Sequence, residues 1–512
     1  MATCGLQGCL RTFSRYVPYR RHATRTHATL LEGDTAEHSN EPRNARSNQC
    51  LPPEDVEGNE EVEDNVEVVD HQMQDNGDLV RPLALLFLKW KEGRRLPEST
   101  LHEIVNDILC YLERFAEHCT LPQSDVNLQL QLKSQSLIDL EQLQTSSGRS
   151  SYWKACFPFV EPECVFLGIG KSGKRQTFQY VSICKMLKCI LENPVAWSDF
   201  QSQPEEDGYL STVFDGTAHH DHAYFQGDRK KICVQLYSDE FEVCNPLGSK
   251  RGKHKLTAVY FSVLNFPQKV RSRLSGIHLA LLVKDKFVAS YGLHKIFDPL
   301  VRDIAELEKN GIIVNGEVIY GSVLAVTGDN LSSHRLGGFK CSFNHGRICR
   351  FCLALHHEIA HKHLEQDFVQ RSPTGHRHHL DMLRSGAPCS SLYGVREPCA
   401  LNFTGFEPTE HLPPDVMHDL LEGVIPFVMK HVISHLISGN FFTLSALNTC
   451  ILDFDYAPCD LRNKPEEISS GYLKGKSNIR GSASQILCFF RHFSLYVGQS
   501  VPAGNEVWAT YL

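Results

Sequence analysis

The chain has 512 residues, 42% hydrophobic and 22% charged, with a formal net charge of −8. This is ordinary globular composition with room for about two to four domains, and it excludes a protein that is basic overall. No apolar run approaches the roughly 18 residues of a membrane helix. The first 30 residues are Arg-rich and lack an apolar signal region, so neither a membrane-spanning nor a secreted protein is expected. Nineteen cysteines then read as metal ligands or buried thiols before disulfides.

Charge is unevenly placed. Residues 1–28 hold five arginines and no acid, whereas residues 54–70 hold nine acids and no base. One segment therefore accounts for the negative balance. A basic head beside an acidic spacer is common in proteins that meet nucleic acid; the plainer reading is a solvated acidic linker.

Cys4, Cys9, His22 and His27 form C-x4-C-x12-H-x4-H. Zinc takes four such ligands in a tetrahedron, two thiolates on a hairpin and two imidazoles on one helix face. Phe13 and Tyr19 stand where a C2H2 finger puts its small core, so residues 1–29 resemble a ββα finger. That resemblance puts Arg15, Pro18 and Arg21 at the base-reading positions. Arg pairs with guanine, whereas Pro18 offers only apolar contact. One finger covers about three base pairs, so nucleic-acid contact and protein contact both stay open.

Residues 30–78 are polar and poor in aromatics, the composition of a disordered linker. Residues 79–225 are expected to be mostly helical. Thr100-Leu-His-Glu103 is a capping box, and Leu101, Ile104, Ile108 and Leu112 follow at helical spacing, which predicts a helix over 100–117. Residues 120–150, rich in Gln and Ser, read as loop or loosely helical. From 226 the texture turns to strands: Ile232–Tyr237, Leu256–Leu264 and Ile277–Val283. A helix over Leu293–Lys309 follows, with Ile296, Leu300, Ile304 and Leu307 on one face. A fourth strand, Val318–Thr327, ends at Gly328-Asp329-Asn330. Three antiparallel strands, a crossover helix and a parallel strand open a ribonuclease-H-like mixed sheet. The expected class is thus α/β, and Asp239 and Asp329 would end neighbouring strands.

Further on come Cys349-Arg-Phe-Cys352 and Leu412-Pro-Pro-Asp-Val-Met-His-Asp-Leu-Leu-Glu-Gly423. With the segments around Asp239 and Asp329, these resemble transposases of cut-and-paste DNA elements, closest to the CACTA (En/Spm) type, over roughly residues 230–430. The resemblance implies three acids holding two Mg²⁺ or Mn²⁺ ions for phosphodiester cleavage and strand transfer. It implies DNA as partner, a nuclear location and a homo-oligomeric assembly. Asp239 and Asp329 carry over as the first two acids. Asp415, His418, Asp419 and Glu422 stand at i, i+3, i+4 and i+7, one face of a helix, with Glu422 the candidate third acid. The family's last acid can also lie farther along, in which case the chain is shortened at Leu512 and inactive. A zinc-binding insertion, here within 340–420, follows the second acid. Cys349 and Cys352 would be two ligands, and His376, His379, His411 or His418 the others, with His418 favoured. Lys250, Arg251 and Lys253 open a stretch to Arg273 with seven Lys or Arg and no acid. It fits a phosphate backbone or a plain basic turn.

Two other classes stay in view. One is a non-catalytic C2H2 factor that binds DNA or protein. The other is a zinc protease using His357-Glu-Ile-Ala-His361, an HExxH, although the glycine and third histidine of the longer form are missing. Gly170-Lys-Ser172 matches the end of a P-loop, but position 165 is Val rather than Gly.

Overall fold

The computed structural model describes residues 2–3, 12–13, 80–118, 142–202, 210–227, 230–243, 254–475 and 477–512. The chain divides into two units, Met1–Asn65 and Val66–Leu512. In the first, Ala2–Thr3 pairs antiparallel with Thr12–Phe13. That pairing brackets, in sequence, Cys4 and Cys9. Those two residues, His22, His27, Arg15, Arg21 and the linker at 30–78 lie outside the described residues.

The described residues of the second unit begin with helices α1 (Val80–Leu88), α2 (Glu98–His118) and α3 (Ser146–Cys156). Phe87, Leu101, Val105, Leu143 and Trp153 make their common core. The indole of Trp153 donates to the Ala84 carbonyl at 3.0 Å. Arg149 is wholly buried and spends its charge locally. It donates to the carbonyls of Leu143 and Gln144 and pairs with Glu98 at 2.5 Å. α2 starts two residues before the predicted Thr100, with Glu98 facing the helix dipole in its first turn.

A six-stranded mixed sheet follows. Its strands are β1 (Glu163–Ile169), β2 (Arg175–Tyr180), β3 (Ile232–Glu242), β4 (Lys255–Val263), β5 (His278–Lys284) and β6 (Gly321–Thr327). The order across the sheet is β6-β3-β4-β5-β2-β1. Every pairing is antiparallel except β6 with β3, which is parallel. The predicted strand order thus forms. β1 and β2 are additions that the helical expectation for 79–225 missed. Gly170-Lys-Ser172 belongs to their connecting turn, closed by the Gly170 amide on the Lys174 carbonyl. Helix α4 (Ile183–Leu191) follows β2, and α5 (Leu293–Lys309) links β5 to β6. Ile296, Leu300, Ile304 and Leu307 are wholly buried in the main core with Val234, Leu236, Phe261 and Val323.

The predicted strand 318–327 breaks at Tyr320. Residues Glu317–Ile319 pair back onto Ile312–Val314, and only Gly321–Thr327 enters the main sheet. Glycine is needed at 321, where a Cβ would sit 2.7 Å from Ile232. After β6 come α6 (Asn330–Leu336), a largely irregular stretch containing α7 (Pro373–Arg384), and a helical region with its own core. The last comprises α8 (Ile425–Ser438), α9 (Leu444–Asp453), α10 (Ala483–Val497) and α11 (Glu506–Tyr511). A five-residue-register turn, Met417–Val424, leads into α8. Together Met417–Ser438 form one helix long and apolar enough, by length and composition, to cross a membrane. Inspection of apolar runs overlooks it because Glu422 and Lys430 interrupt the run. Met429, Val432, Ile433 and Leu436 of that helix pack into the helical core.

Candidate acidic site beside the parallel strand pair

β6 and β3 run together up to Thr327 opposite Tyr237. Asp329 and Asp239 each lie two residues beyond that pair, so the parallel register brings both acids to one level. Asp239 is not at a strand end as expected. β3 continues to Glu242, paired only with β4, with Asp239 opposite Ala258 and Glu242 opposite Lys255. The connection from β3 to β4 carries Lys250, Arg251 and Lys253, which lie outside the described residues.

Short bonds hold the two chains together here. The Thr327 hydroxyl donates to the Leu236 carbonyl at 3.1 Å, and Gln235 Nε2 donates to that hydroxyl at 3.0 Å. Gly328 is required by proximity, since a Cβ would stand 2.8 Å from the Ser238 carbonyl. Asp329 caps α6, its Oδ1 accepting from the Ser332 amide at 2.6 Å. Asp239 Oδ1 accepts from the Glu240 amide at 2.7 Å. Among the described residues neither Oδ2 accepts a protein hydrogen bond. Arg335, one turn into α6, pairs with Glu240 at 2.5 Å and Asp285 at 3.2 Å, neutralising the acids behind the pair.

The segment 411–422 is fastened over this level. The Val326 amide donates to the His411 carbonyl at 3.0 Å, along the outer edge of β6. Arg350 is 2% exposed. It donates to the carbonyls of Leu412 at 3.0 Å and Pro413 at 2.9 Å, and to Asn330 Oδ1 at 2.5 Å. Asn330 in turn donates Nδ2 to Asp419 at 2.5 Å. Sequence reasoning passed over Arg350 because it looks like a spacer between Cys349 and Cys352.

The predicted four-residue face is only partly formed. Asp415 precedes the helix, and Met417–Val424 has π register just before Pro426, whose missing N–H removes an α-helical rung. Asp415 is consumed locally: Oδ1 accepts the amides of Met417 and His418, and Oδ2 meets His418 Nδ1 at 2.6 Å. Asp419 is consumed by Asn330 and the Asp415 amide. Glu422 is exposed, and among the described residues its carboxylate accepts no hydrogen bond.

These groups share one field. The Tyr237 hydroxyl is pushed up to about 12, by burial first and then by the charges of Asp239, Asp415 and Asp329. His418 is held above the usual imidazole range, chiefly by its hydrogen bond to Asp415, with Glu422 and Asp329 adding to it. Burial opposes ionisation of Asp415, but the bonds from His418 outweigh it and lower its pKa. Asp239 and Asp329 thus act together on Tyr237, and Glu422 and Asp329 on His418. The donor oxygens of Asp239, Asp329 and Glu422 are not all drawn within 4.8 Å of one another. The face of the sheet beside them carries an open cleft of about 660 Å³, lined by Gln235, Tyr237, Tyr260, Arg271, Thr327 and Pro413 among others.

The second zinc set needs correction. Cys349 and Cys352 are close enough to interact electrostatically, and Cys349 Sγ accepts from the Phe351 amide at 3.3 Å, but His418 belongs to Asp415, not to them. Among the described residues the two thiols belong to no group of three donors drawn within 4.8 Å of one another. Arg371 occupies that neighbourhood instead, donating to the Cys349 carbonyl at 3.1 Å. His376 is buried with both ring nitrogens unpartnered, near Arg371 rather than on the thiols. His411 packs edge-to-face against His222, with ring centroids 4.7 Å apart, and donates no ligand there. A four-ligand zinc shell is therefore not assembled at Cys349 and Cys352.

The HExxH stretch is overturned as well. Glu358–Ala360 is a single 3₁₀ turn, so His357 and His361 do not share an α-helical face. The Glu358 carboxylate is taken by the Leu355 amide at 2.9 Å and by Lys362 at 2.7 Å.

No protein-family model matches the chain, and no curated protein matches it.

Proposed function

We propose that this chain is derived from a cut-and-paste DNA transposase and that its sheet domain cleaves phosphodiesters with Mg²⁺ or Mn²⁺. The observation that carries this reading is the level placement of Asp239 and Asp329 on adjacent parallel strands, beneath the segment bearing His418 and Glu422. Among the described residues Asp239, Asp329 and Glu422 each keep carboxylate oxygen free of protein donors, the hard-oxygen set such ions take. These three would hold the ions. A bound divalent ion there supplies positive charge against the negative charge that develops on a phosphodiester in cleavage.

The chain's own groups complete the arrangement. Nδ1 of His418 donates to Asp415, which favours the charged form of the ring; in that form Nε2–H is offered to a phosphate oxygen or leaving group. Arg335 holds Glu240 and Asp285 out of the acid pair. Arg350 and Asn330 set the height of the 411–422 segment. The N-terminal finger, with Zn²⁺ on Cys4, Cys9, His22 and His27, is assigned to DNA contact through Arg15 and Arg21, in a nuclear protein.

The test is nicking of supercoiled DNA by the full chain. Mg²⁺- or Mn²⁺-dependent nicking should fall at least about 100-fold in Asp329→Asn and in Asp239→Asn, with DNA affinity kept. Binding without nicking in the unaltered chain would instead support a non-catalytic finger protein and sink the catalytic reading.

A further inference from the structure

The helical region after Ile425 holds a cluster that the acidic site does not use. Asp460 lies in the loop after α9, and Cys488 and His492 lie one turn apart on α10. One donor atom from each lies within 4.8 Å of the other two, and among the described residues no other set of three does this. Asp460 is 9% exposed and Cys488 is 2% exposed.

Three features point to a ligand. The Asp460 carboxylate accepts no hydrogen bond among the described residues, and the basic side chain nearest to it is His492, whose Nε2 lies 3.9 Å away. That is too long for a hydrogen bond, and an unpaired buried carboxylate is costly. Next, His492 Nδ1 lies 2.8 Å from the Cys488 carbonyl. Donating there leaves the lone pair on Nε2, facing Asp460. Metal-bound histidines fix their tautomer in this way, by giving the other ring N–H to a carbonyl. Finally, the separations suit a shared ion. With Zn–N and Zn–O distances of about 2.0–2.2 Å, two tetrahedral ligands stand roughly 3.4 Å apart, so a contraction of about half an ångström brings Nε2 and Asp460 onto one metal.

The surroundings are built to hold the ring still. Phe454, Tyr456 and Tyr496 stand round His492 at centroid distances of 5.1, 5.8 and 6.4 Å. The two tyrosine hydroxyls bond each other at 2.8 Å. Cys459, next to Asp460 in sequence, is exposed and close enough to Cys488 to interact with it electrostatically. A nucleophilic Cys–His–Asp reading fails on access, because substrate cannot reach a sulfur on a residue 2% exposed.

We propose that Asp460, Cys488 and His492 bind a structural Zn²⁺, pinning the loop after α9 to α10. Sulfur, imidazole and carboxylate together select zinc over Mg²⁺ or Ca²⁺.

The experiment uses the full chain carrying Cys4→Ser and Cys9→Ser, so that the N-terminal finger does not contribute. Zinc per chain is measured by mass spectrometry after dialysis against a mild chelator, and Co²⁺ is then exchanged in. The expected result is a zinc that His492→Ala loses by about one equivalent. Asp460→Asn, which keeps shape, should weaken it by at least about tenfold. Co²⁺ should show a thiolate charge-transfer band that Cys488→Ser abolishes. Circular dichroism identifies any variant that has merely unfolded, and Asp460→Asn then decides. Equal zinc content and affinity in Asp460→Asn and its parent, or no thiolate band with Co²⁺, would overturn the proposal.

Discussion

Arg350→Met tests the claim that one buried guanidinium sets the height of the segment over the acid pair. The substitution keeps an unbranched, apolar stem and leaves no orphaned charge. It deprives three acceptors of their donor: the carbonyls of Leu412 and Pro413 and Oδ1 of Asn330, now at 3.0, 2.9 and 2.5 Å. Hydrogen bonds from a charged group contribute about 1.5–3 kcal/mol each, and a buried acceptor left bare costs about 1–3 kcal/mol. The three are neighbours and do not add fully, so the loss is about 3–5 kcal/mol. At the lower slope of ~2 °C per kcal/mol, Tm falls by about 6–10 °C. Calorimetry measures that drop. Hydrogen exchange measures its location, with faster exchange at 411–419 and at the start of α6 and little change in the helical core. An unchanged Tm, or protection lost evenly across the chain, would refute the idea that Arg350 acts as a local tie.

Other outcomes follow from the same structure. Leu300→Ala removes a wholly buried side chain of α5 and should cost about 2–5 kcal/mol, read as a lower Tm; a loss under about 0.5 kcal/mol would contradict the packing described. Burial pushes His222, His278, His334 and His376 down to about 4, with His411 adding to the effect at His222. Their folded pKa lies below the unfolded value of about 6.5, so the unfolded chain takes up protons first as pH falls. Their stabilisation is whole above about 6.5 and drains away toward about 4; a Tm that stays flat from pH 7 to pH 5 would contradict it. The raised pKa of His418 runs the other way, so its pairing with the Asp415 carboxylate is lost as pH rises through the imidazole's folded pKa. Asp415→Asn should move the His418 titration, followed by NMR, to lower pH. Glu358→Gln should leave stability and any peptidase signal unchanged within error, since that carboxylate only closes an exposed 3₁₀ turn.

How much could be read in advance depended on whether periodicity and burial coincide. They coincide in α5, where every apolar position at helical spacing is buried, and in the core strands β3 to β6. They part company in β1, where only Leu167 is buried while Phe166 and Ile169 are exposed, so no alternation marks an edge strand. β2 is written Arg-Gln-Thr-Phe-Gln-Tyr and looks polar until its neighbours bury Phe178 and Tyr180. At the site, Asp239 and Asp329 were legible because they follow apolar runs. The partner of His418 was not. A histidine three residues after an aspartate satisfies that aspartate locally, and no spacing rule distinguishes this from ligation by distant thiols. The cluster of Asp460, Cys488 and His492 was invisible for a related reason: only the folded loop after α9 brings Asp460 to a helix turn 28 residues away.

The outer rim of β6 has one further consequence. An unpaired strand edge is an invitation to other chains, and here the amide of Val326 is already answered by the carbonyl of His411. The bond that shields the edge also measures out the chain, since only three residues lie between His411 and Asp415. Adding or deleting a residue between them forces a choice between baring the edge and displacing His418 and Glu422 from the acid pair. The segment is therefore intolerant of length change even where its individual side chains are exchangeable. Divergence in this stretch should appear as substitution and almost never as insertion, with aggregation the companion of any lost activity when that rule is broken.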